Sequence, residues 1–258
     1  MQGAVATGTQ LNYNYYLYTM FTIIFLIVII TFYYFYKYLI NNSVFIYDNC
    51  FDHIKLWDEK FLDVQYIFDR NNTPSNQYER FIHKFLNQIN DNSRYIEYWT
   101  RLKHQFVGWH KDNNEKLYQE SSLSFHPNHG HIAYLDNTKF PAPTSIYNIG
   151  TYFLSHVKNG RVTRFKGNLF HAVAPPTIDQ DRPVLLFNTW NEPPSNFQNN
   201  TKPPTDDIDL NVNTNNLIKI NNIQNFDFIP HKLMRNNKTF NFPLSSQNGK
   251  IPFFYCLF

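Results

Sequence analysis

The chain lacks several features that mark common classes of protein. It has 258 residues, of which only 2 are Cys and 8 are Gly, and it contains no run of basic residues although its net charge is +3. The two cysteines, Cys50 and Cys256, are too few for a disulfide scaffold or a four-cysteine zinc site. Without a basic cluster there is no reason to expect nucleic acid as a partner. The length is sufficient for one domain with appendages.

Aromatic residues and Asn are abundant instead. An aromatic content of 18% excludes an intrinsically disordered chain. The 34 Asn, together with many Phe, Tyr and Ile, have A/T-rich codons, which is typical of an A/T-rich genome such as that of a large DNA virus or a protist. Glycosylation sequons begin at Asn41, Asn71, Asn199 and Asn237. A chain so rich in Asn acquires that many by chance, so the sequons do not indicate a lumenal domain.

Residues 1–36 contain no Asp, Glu, Lys or Arg. The apolar stretch within residues 16–39 is about the 20 residues that a helix needs to cross a bilayer, and tyrosines flank both of its ends. A signal peptide would need a basic beginning and a small-residue cleavage site, and a buried core helix would have a polar face. We therefore expect residues 1–40 to be a single-pass membrane anchor. Lys37 and Lys55 follow it, which favours a cytoplasmic C-terminal domain.

Residues 41–105 are expected to form a mainly helical support region. The apolar positions from Tyr78 to Ile89 recur at intervals of three and one, which predicts one helical face. Thr73-Pro74 supplies a cap and first-turn pair for that helix. An earlier helix is expected from Ile54 to Phe68.

After residue 105, short segments rich in β-branched and aromatic residues alternate with Gly, Pro and Asn. The predicted strands are Gln105–Trp109, His131–Leu135, Thr144–Asn148, Thr151–Val157, Arg161–Phe165, Leu169–Val173 and Val184–Trp190. Asn159-Gly160 is typical of a two-residue hairpin turn. This pattern indicates a β-sandwich or barrel with helices packed outside it.

Residues 196–258 form a C-terminal extension rich in Asn and Pro. Weak strands are expected near Ile208–Val212 and Leu217–Ile220, and Ile251–Phe258 is expected to be a terminal strand.

One pattern carries chemistry. His110 and Asp112 form a His-x-Asp pair, and such a pair on a strand has both side chains on the same face. An imidazole and a carboxylate are two ligands of the facial triad that binds Fe(II). His171, on a late strand, is placed to complete the triad and leave open positions on the metal. Arg182 enters the next strand, where a guanidinium can pair with a carboxylate of a co-substrate.

Other residues compete for these roles. Three histidines in a turn, His126, His129 and His131, form an alternative metal loop, and Glu115 is an alternative carboxylate ligand. Arg164 is the alternative to Arg182, although it precedes the second His ligand. His156 is expected to be an ordinary strand residue.

The pattern of His110, Asp112, His171 and Arg182 resembles that of the 2-oxoglutarate- and Fe(II)-dependent oxygenases, in the branch that contains prolyl 4-hydroxylase-like proteins. The resemblance covers about residues 95–195. It implies a double-stranded β-helix (jelly-roll) in which the two His and the Asp hold Fe(II), catalysis uses O2, and Arg182 binds the distal carboxylate of 2-oxoglutarate. The family commonly has a Gly-Gly-Thr turn where this chain has Pro141-Ala142-Pro143-Thr144, so the rim of the pocket differs.

The sequence therefore predicts an α+β, mainly β fold: an anchor at 1–40, a helical support at 41–105, a jelly-roll catalytic core at 106–195 and an extension at 196–258. We expect a membrane-anchored hydroxylase whose substrate is a protein side chain or, less favoured, a small molecule. Two alternatives stay open. One is a catalytically silent jelly-roll that serves as a binding or structural protein of a virion or membrane surface. The other is a cupin-like metal dioxygenase that does not use 2-oxoglutarate.

Overall fold

The computed structural model describes residues 6–41, 43–137, 143–148, 151–175, 179–195, 202–215, 217–218, 230–235 and 238–243. The chain divides into two units, Met1–Asn42 and Ser43–Phe258.

The described part of the first unit is one α-helix, α1 (Ala6–Asn41), whose apolar residues are not confined to one face. Its segment Tyr15–Tyr38 has 24 residues, none of them buried, and is long and apolar enough to cross a membrane, as a signal sequence also is. The three threonines of this segment donate their hydroxyls to carbonyls four residues earlier, at 2.8–2.9 Å. A hydroxyl that makes its hydrogen bond within its own helix can lie in the apolar interior of a membrane.

The second unit is built mainly from antiparallel strands. The strands are β1 (Val44–Tyr47), β2 (Tyr66–Asp69), β3 (Tyr95–Lys103), β4 (Val107–His110), β5 (His129–Tyr134), β6 (Thr144–Asn148), β7 (Thr151–Ser155), β8 (Arg161–Lys166), β9 (Phe170–Val173), β10 (Asp181–Trp190), β11 (Leu217–Ile218), β12 (Pro230–Arg235) and β13 (Lys238–Pro243). The helices are α2 (Gln77–Gln88), α3 (Glu115–Ser121) and the 3-10 turn Glu59–Phe61. One sheet has the order β11-β1-β8-β5-β10-β3-β2, a second has the order β4-β9-β6-β7, and β12 pairs with β13. The described part is thus a β-rich α+β fold.

The main hydrophobic core lies between α2 and the seven-stranded sheet. Phe85 of α2 packs edge-on against Phe187 of β10 and Tyr47 of β1, with ring centroids 6.2 and 5.3 Å apart. The helix predicted from Tyr78 to Ile89 is confirmed. Its cap is Asn76 rather than Thr73, since the Asn76 side chain accepts hydrogen bonds from the first-turn amides.

The prediction that residues 41–105 are mainly helical is wrong. Strands β1, β2 and β3 all lie in this region and join the seven-stranded sheet, so that sheet also extends outside residues 106–195. The helix predicted from Ile54 to Phe68 is also wrong, because only a 3-10 turn and β2 lie there. Strand β3 was missed because both of its faces are largely covered and carry mixed residues, so no apolar–polar alternation marks it.

All seven strands predicted after residue 105 are present, with ends shifted by at most three residues. The Asn159-Gly160 hairpin is wrong: β7 pairs with β6, whereas β8 pairs with β1 and β5. Gly160, at φ +74°, makes a turn that leads from one sheet to the other. Of the weak strands, only the second appears, as β11; the segment Ile208–Val212 is not a strand, and Ile251–Phe258 lies outside the described residues.

Candidate metal centre

Two neighbouring strands of the four-stranded sheet bring His110 and His171 together. His110 is the last residue of β4, and it pairs directly with His171 of β9. The two imidazole rings therefore lie on the same side of the sheet, with centroids 4.1 Å apart. Asp112 follows just beyond the end of β4, and its carboxylate turns back towards both rings.

The three side chains form a compact cluster. Asp112 Oδ1 lies 3.5 Å from Nε2 of His110 and 3.7 Å from Nε2 of His171. One ligand atom from each residue lies within 4.8 Å of the others. Two imidazoles and one carboxylate converging on one point make a donor set suited to a first-row divalent metal.

Backbone carbonyls orient both rings. Nδ1 of His110 lies 2.8 Å from the carbonyl of Gly108, and Nδ1 of His171 lies 3.3 Å from that of Leu169. A proton on each Nδ1 donates to these carbonyls, and in the neutral form of each ring Nε2 is then a lone-pair donor directed into the cluster. This is the arrangement that fixes the tautomer of a metal-ligating His.

Burial and mutual charge set the protonation of the cluster. Burial by itself lowers the pKa of His110, but the hydrogen bond and charge of Asp112 outweigh it and raise that pKa. Burial by itself raises the pKa of Asp112, but the two imidazoles outweigh it and lower that pKa. Burial lowers the pKa of His171. At neutral pH the cluster thus has an ionised Asp112 and a neutral His171, the forms that bind metal.

Asn188 of β10 connects the cluster to a second carboxylate. Its side chain adds to the two imidazoles in lowering the pKa of the Asp112 carboxyl. Its Nδ2 also donates to Glu97 Oε2 at 3.5 Å, a long hydrogen bond. Asn188 is 4% exposed.

Arg182 lies in the cavity next to the cluster. This cavity has a volume of about 120 Å³, and its lining includes all three cluster residues and Arg182. Arg182 is 6% exposed, donates to Thr144 Oγ1 at 2.8 Å, and lies with its guanidinium 5.2 Å from the centre of the Tyr134 ring. Burial and the nearby Arg101 lower its pKa. No described carboxylate forms an ion pair with Arg182, and its Nε has no hydrogen-bond partner among the described residues.

A second, wider cavity adjoins the cluster on another side. It measures about 380 Å³ and shares four lining residues with the first cavity: Trp99, His110, Asp112 and Asn188. The rest of its lining is mostly polar and includes Gln65, Glu97, Asn113, Asn114, Gln119 and Trp190. The cluster therefore lies where two cavities meet, and each can hold a different molecule.

The alternative ligands predicted from sequence lie elsewhere. Arg164 donates to Asp91 at 2.7 Å and to Nδ1 of His129 at 3.0 Å, and it does not line either cavity. His131 is among the residues that line the first cavity, but its ring stacks on Phe187, with centroids 4.2 Å apart, and packs edge-on against Phe85 of α2, so it is not part of the His-Asp-His cluster.

Three further alternatives are accounted for by other contacts. His126 contacts the carbonyl of Asp112 through Nδ1, at 2.7 Å. Glu115 is exposed at the start of α3. His156 is exposed just after β7, and it is not part of the His-Asp-His cluster.

Three residues of the site were missed from sequence: Thr144, Tyr134 and Asn188. Asn188 had a readable signal, because it lies six residues after Arg182 on one strand and therefore faces the same side. Thr144 and Tyr134 had none, because strand pairing and sheet packing bring them to Arg182 from distant positions; the Tyr134 hydroxyl donates to Thr144 Oγ1 at 2.9 Å.

No protein-family model matches this chain, and no curated protein matches it. Among solved structures, the chain is similar to an oxidoreductase of the 2OG-Fe(II) oxygenase family from Burkholderia pseudomallei, at 13% identity and a TM-score of 0.34. The similarity covers 60% of this chain and 72% of that one. Chemistry does not transfer at such a distance, and none of these comparisons supports a viral or protist origin. The function is therefore inferred from the residues of the site.

Proposed function

We propose that this chain is a membrane-anchored Fe(II)- and 2-oxoglutarate-dependent oxygenase that hydroxylates a C–H bond, with a protein side chain as the favoured substrate. One observation carries the proposal: a His-Asp-His cluster and a buried arginine without a described carboxylate partner line the same cavity. The His-Asp-His cluster suits a metal ion, and the buried arginine suits an anionic ligand that extends to that metal.

His110, Asp112 and His171 would hold the iron. They provide two imidazole nitrogens and one carboxylate, and in a neutral ring whose Nδ1 donates to the backbone Nε2 carries a lone pair. Three protein ligands leave coordination positions open for other molecules. The donor set therefore fits the group that the sequence pattern implies.

Arg182 would bind the distal carboxylate of 2-oxoglutarate. A buried guanidinium with an unpartnered Nε can form a bidentate pair with a carboxylate, and such a pair is strong when water is excluded. Thr144 receives one hydrogen bond from Arg182 and one from Tyr134, so the guanidinium is held in place before the ligand arrives.

Iron, 2-oxoglutarate and O2, when bound, supply the oxidising chemistry. The chain's own residues orient the co-substrate, exclude bulk water from the first cavity and present the substrate through the second cavity. We infer that the two sheets enclose this site as a double-stranded β-helix, in which β4 and β9 belong to the smaller sheet and β10 to the larger.

We further propose that α1 anchors the protein in a membrane, with the second unit on the cytoplasmic side. The uncharged segment Tyr15–Tyr38 supports the anchor, and Lys37 and Lys55 after it support the orientation.

The test is an anaerobic titration of the full chain, in detergent micelles, with Fe(II) and then with 2-oxoglutarate. We expect metal binding and the visible absorption band that chelation of Fe(II) by 2-oxoglutarate produces. His110→Ala and His171→Ala should abolish both. Arg182→Gln should leave the metal bound and weaken 2-oxoglutarate binding by at least about tenfold, which is the loss of a charge-assisted hydrogen bond. His156→Ala is the matched control.

The alternative functions predict other outcomes. A cupin-like dioxygenase would bind Fe(II) and be unaffected by Arg182→Gln. A silent jelly-roll would bind neither component and would not form succinate. Either result contradicts the proposed function.

A further inference from the structure

Three exposed apolar side chains lie close together in the part of the chain that follows the metal ligand Asp112. Tyr118, Leu123 and Phe125, here called the apolar patch, are 46%, 58% and 45% exposed. Among the described residues of the second unit only five large apolar side chains are exposed, and three of them fall within these eight residues. Such a local concentration of exposed apolar side chains is typical of a surface that contacts a partner or a membrane.

The apolar patch belongs to a compact excursion, residues 113–125, whose two ends are joined by hydrogen bonds. The amide of Phe125 donates to Asn113 Oδ1 at 2.7 Å, and the amide of Asn114 donates to the carbonyl of Phe125 at 2.8 Å. Between these ends lies α3, which begins directly after its cap, Asn114. Because its ends are fixed, the excursion presents the apolar patch from a defined place on the second unit.

This place is at the end of the seven-stranded sheet where β1 begins. The amide of Lys166 donates to the carbonyl of Ser43, directly before β1, and Lys166 pairs with His129 at the beginning of β5. Two strand spacings, about 10 Å, therefore separate Ser43 from His129. Phe125 is only four residues before His129, so the apolar patch leads into the same end of the sheet.

The short link between the apolar patch and β5 packs closely on that end. The amide of Gly167 donates to the carbonyl of Asn128 at 3.2 Å, and a Cβ at Gly167 would lie 2.1 Å from the carbonyl oxygen of Pro127. Only glycine allows the two backbones to approach so closely. The link, and with it the base of the excursion, is therefore held against β8.

The length of the chain limits how far this end of the sheet can lie from a membrane. The apolar span of α1 ends at Tyr38, α1 itself ends at Asn41, and β1 begins at Val44. Three helical residues followed by three further residues extend about 15 Å at most. If the span crosses a bilayer, Val44 therefore lies within that distance of the membrane interface.

The charge of the excursion favours an apolar contact over an electrostatic one. Residues 113–125 contain one Lys and two Glu, a net charge of −1. Attraction to anionic lipids requires clusters of Lys and Arg, which this excursion lacks. Contact with a bilayer would therefore depend on the apolar side chains and not on the lipid charge.

We propose that Tyr118, Leu123 and Phe125 insert into the interface of the membrane that α1 crosses, as a second contact of the protein with the bilayer. A tyrosine and two apolar side chains suit the boundary between headgroups and acyl chains. Three other residues of α3 line the second cavity: Glu115, Lys116 and Gln119. The excursion thus connects the wall of this cavity with the membrane surface. The proposal rests on the proposed anchor and is independent of the oxygenase chemistry.

Nitroxide labels on single introduced cysteines test the position of the apolar patch. The full chain carries Cys256→Ser, while the buried Cys50 is kept, and it is reconstituted without metal into phosphatidylcholine nanodiscs that hold one copy each. Leu123→Cys reports on the patch, Asp136→Cys reports on the exposed opposite end of β5, and Ile24→Cys reports on the span. Electron paramagnetic resonance with O2 and with a neutral, water-soluble nickel chelate measures the depth of each label.

We expect the label at position 123 to lose accessibility to the nickel chelate and gain accessibility to O2, relative to the label at position 136. Equal accessibility of the two labels overturns the proposal and leaves the patch free for a polypeptide. Protection that requires two copies in one nanodisc indicates contact between copies and overturns it as well. The label at position 123 decides this proposal and the label at position 24 decides the anchor, so either can fail alone.

Variants of the protein labelled at position 123 identify the side chains responsible. Phe125→Ser should lower the ratio of membrane-inserted to aqueous label about fivefold, the effect of removing one half-exposed aromatic side chain from an apolar environment. Ile208→Ser, at a similarly exposed position of the C-terminal extension, is the matched control and should leave the ratio unchanged. Equal effects of the two substitutions contradict the proposal. If Phe125→Ser does not fold, Tyr118→Ser decides in its place.

The lipid composition distinguishes apolar insertion from electrostatic attraction. We expect the same depth at position 123 in nanodiscs with and without phosphatidylserine, at low and at high salt, because the excursion has no excess of basic residues. Insertion that requires phosphatidylserine, or that high salt abolishes, overturns the proposal.

Discussion

Asn188 is the residue on which the candidate site depends most without being a predicted ligand. It is almost fully buried, its amide donates to Glu97, and it lines both cavities together with Asp112, whose pKa it helps to lower. One side chain therefore connects a metal ligand with the wall of the neighbouring cavity.

We expect Asn188→Ala to lower the affinity for Fe(II) by about 10- to 100-fold, the usual cost of losing a residue that orients a metal ligand. The measurement is competition with a chelator, or electron paramagnetic resonance of bound Mn(II). Asn168→Ala, at an exposed position, is the control. An unchanged affinity in Asn188→Ala would show that Asp112 does not need this amide.

A buried ionic group on the α2 side of the sheet makes stability depend on pH. Burial and the charge of Arg164 lower the pKa of His129 to about 4, and burial lowers that of His131 well below its usual range. Arg164 donates to Nδ1 of His129, which requires that ring to be neutral.

Between pH 6.5 and 4 the unfolded chain therefore binds more protons at these histidines than the folded chain does. The free energy of unfolding must fall as the pH falls through this window. For His129 alone we expect a loss of about 1 kcal/mol between pH 7 and 5, after allowance for its partial exposure. Urea melts at both pH values measure it. His129→Asn should reduce the difference, whereas replacement of the exposed His53 should not.

At the scale of elements, the sequence predicted those segments whose pattern reflects one buried face. The α2 helix has a single apolar stripe, and the later strands are separated by Gly, Pro and Asn. Strand β3 escaped prediction because one face packs on the core through Ile96 and Tyr98 while the other lines cavities through Glu97 and Trp99. A strand with such faces has no period of two in its hydrophobicity.

The α2 helix depends on its cap. The Asn76 side chain accepts hydrogen bonds from the amides of Tyr78 and Glu79 at 3.0 Å each, and its Nδ2 donates to the Tyr98 hydroxyl at 3.1 Å. We expect Asn76→Ala to lower the free energy of unfolding by about 2 kcal/mol, because the substitution removes a buried capping side chain together with its hydrogen bonds to the helix amides and to Tyr98. Asn76→Ser, which keeps an acceptor at the cap, should recover about half of it. Equal losses in the two variants would contradict a capping role.

At the scale of the whole molecule, part of the C-terminal extension runs along α2. Arg80, Lys84 and Gln88 lie on successive turns and donate to carbonyls of Ile208, Leu210 and Val212. Arg80 also forms an ion pair with Asp206 that is only about a fifth exposed, whereas the ion pair of Lys84 is more open to solvent.

These burial differences set the expected effects on the extension. Arg80→Ala should cost about 1 to 2 kcal/mol and increase amide hydrogen exchange in residues 205–213, while Lys84→Ala should cost less than about 0.5 kcal/mol. Similar losses in the free energy of unfolding for the two variants would show that solvent exposure does not determine how strongly these ion pairs hold the extension on α2.

The candidate site could be predicted from sequence because its four residues occur in a fixed order: His110, His171 and Arg182 lie on strands, and Asp112 directly follows one. The other residues of the site could not be predicted, because Thr144, Tyr134 and Glu97 acquire their positions only through the pairing and packing of distant strands. Sequence spacing specifies which face of one strand a residue occupies, and it does not specify which strand lies opposite.

The uncharged segment of α1 leads to a prediction about the whole chain. If it crosses a membrane, the protein should remain in the membrane pellet after an alkaline carbonate wash. Ile24→Lys combined with Val28→Lys places two charges at the centre of the segment, each costing about 3 kcal/mol there, and should release a large fraction of the protein. Tyr15→Lys combined with Tyr38→Lys places the same charges at the two ends, where lysine side chains reach the headgroups, and should leave the protein in the pellet. Extraction of the wild type by carbonate would contradict the anchor. Equal extraction of the two double variants would show that the position of the lysines along the segment does not determine whether the protein stays in the membrane.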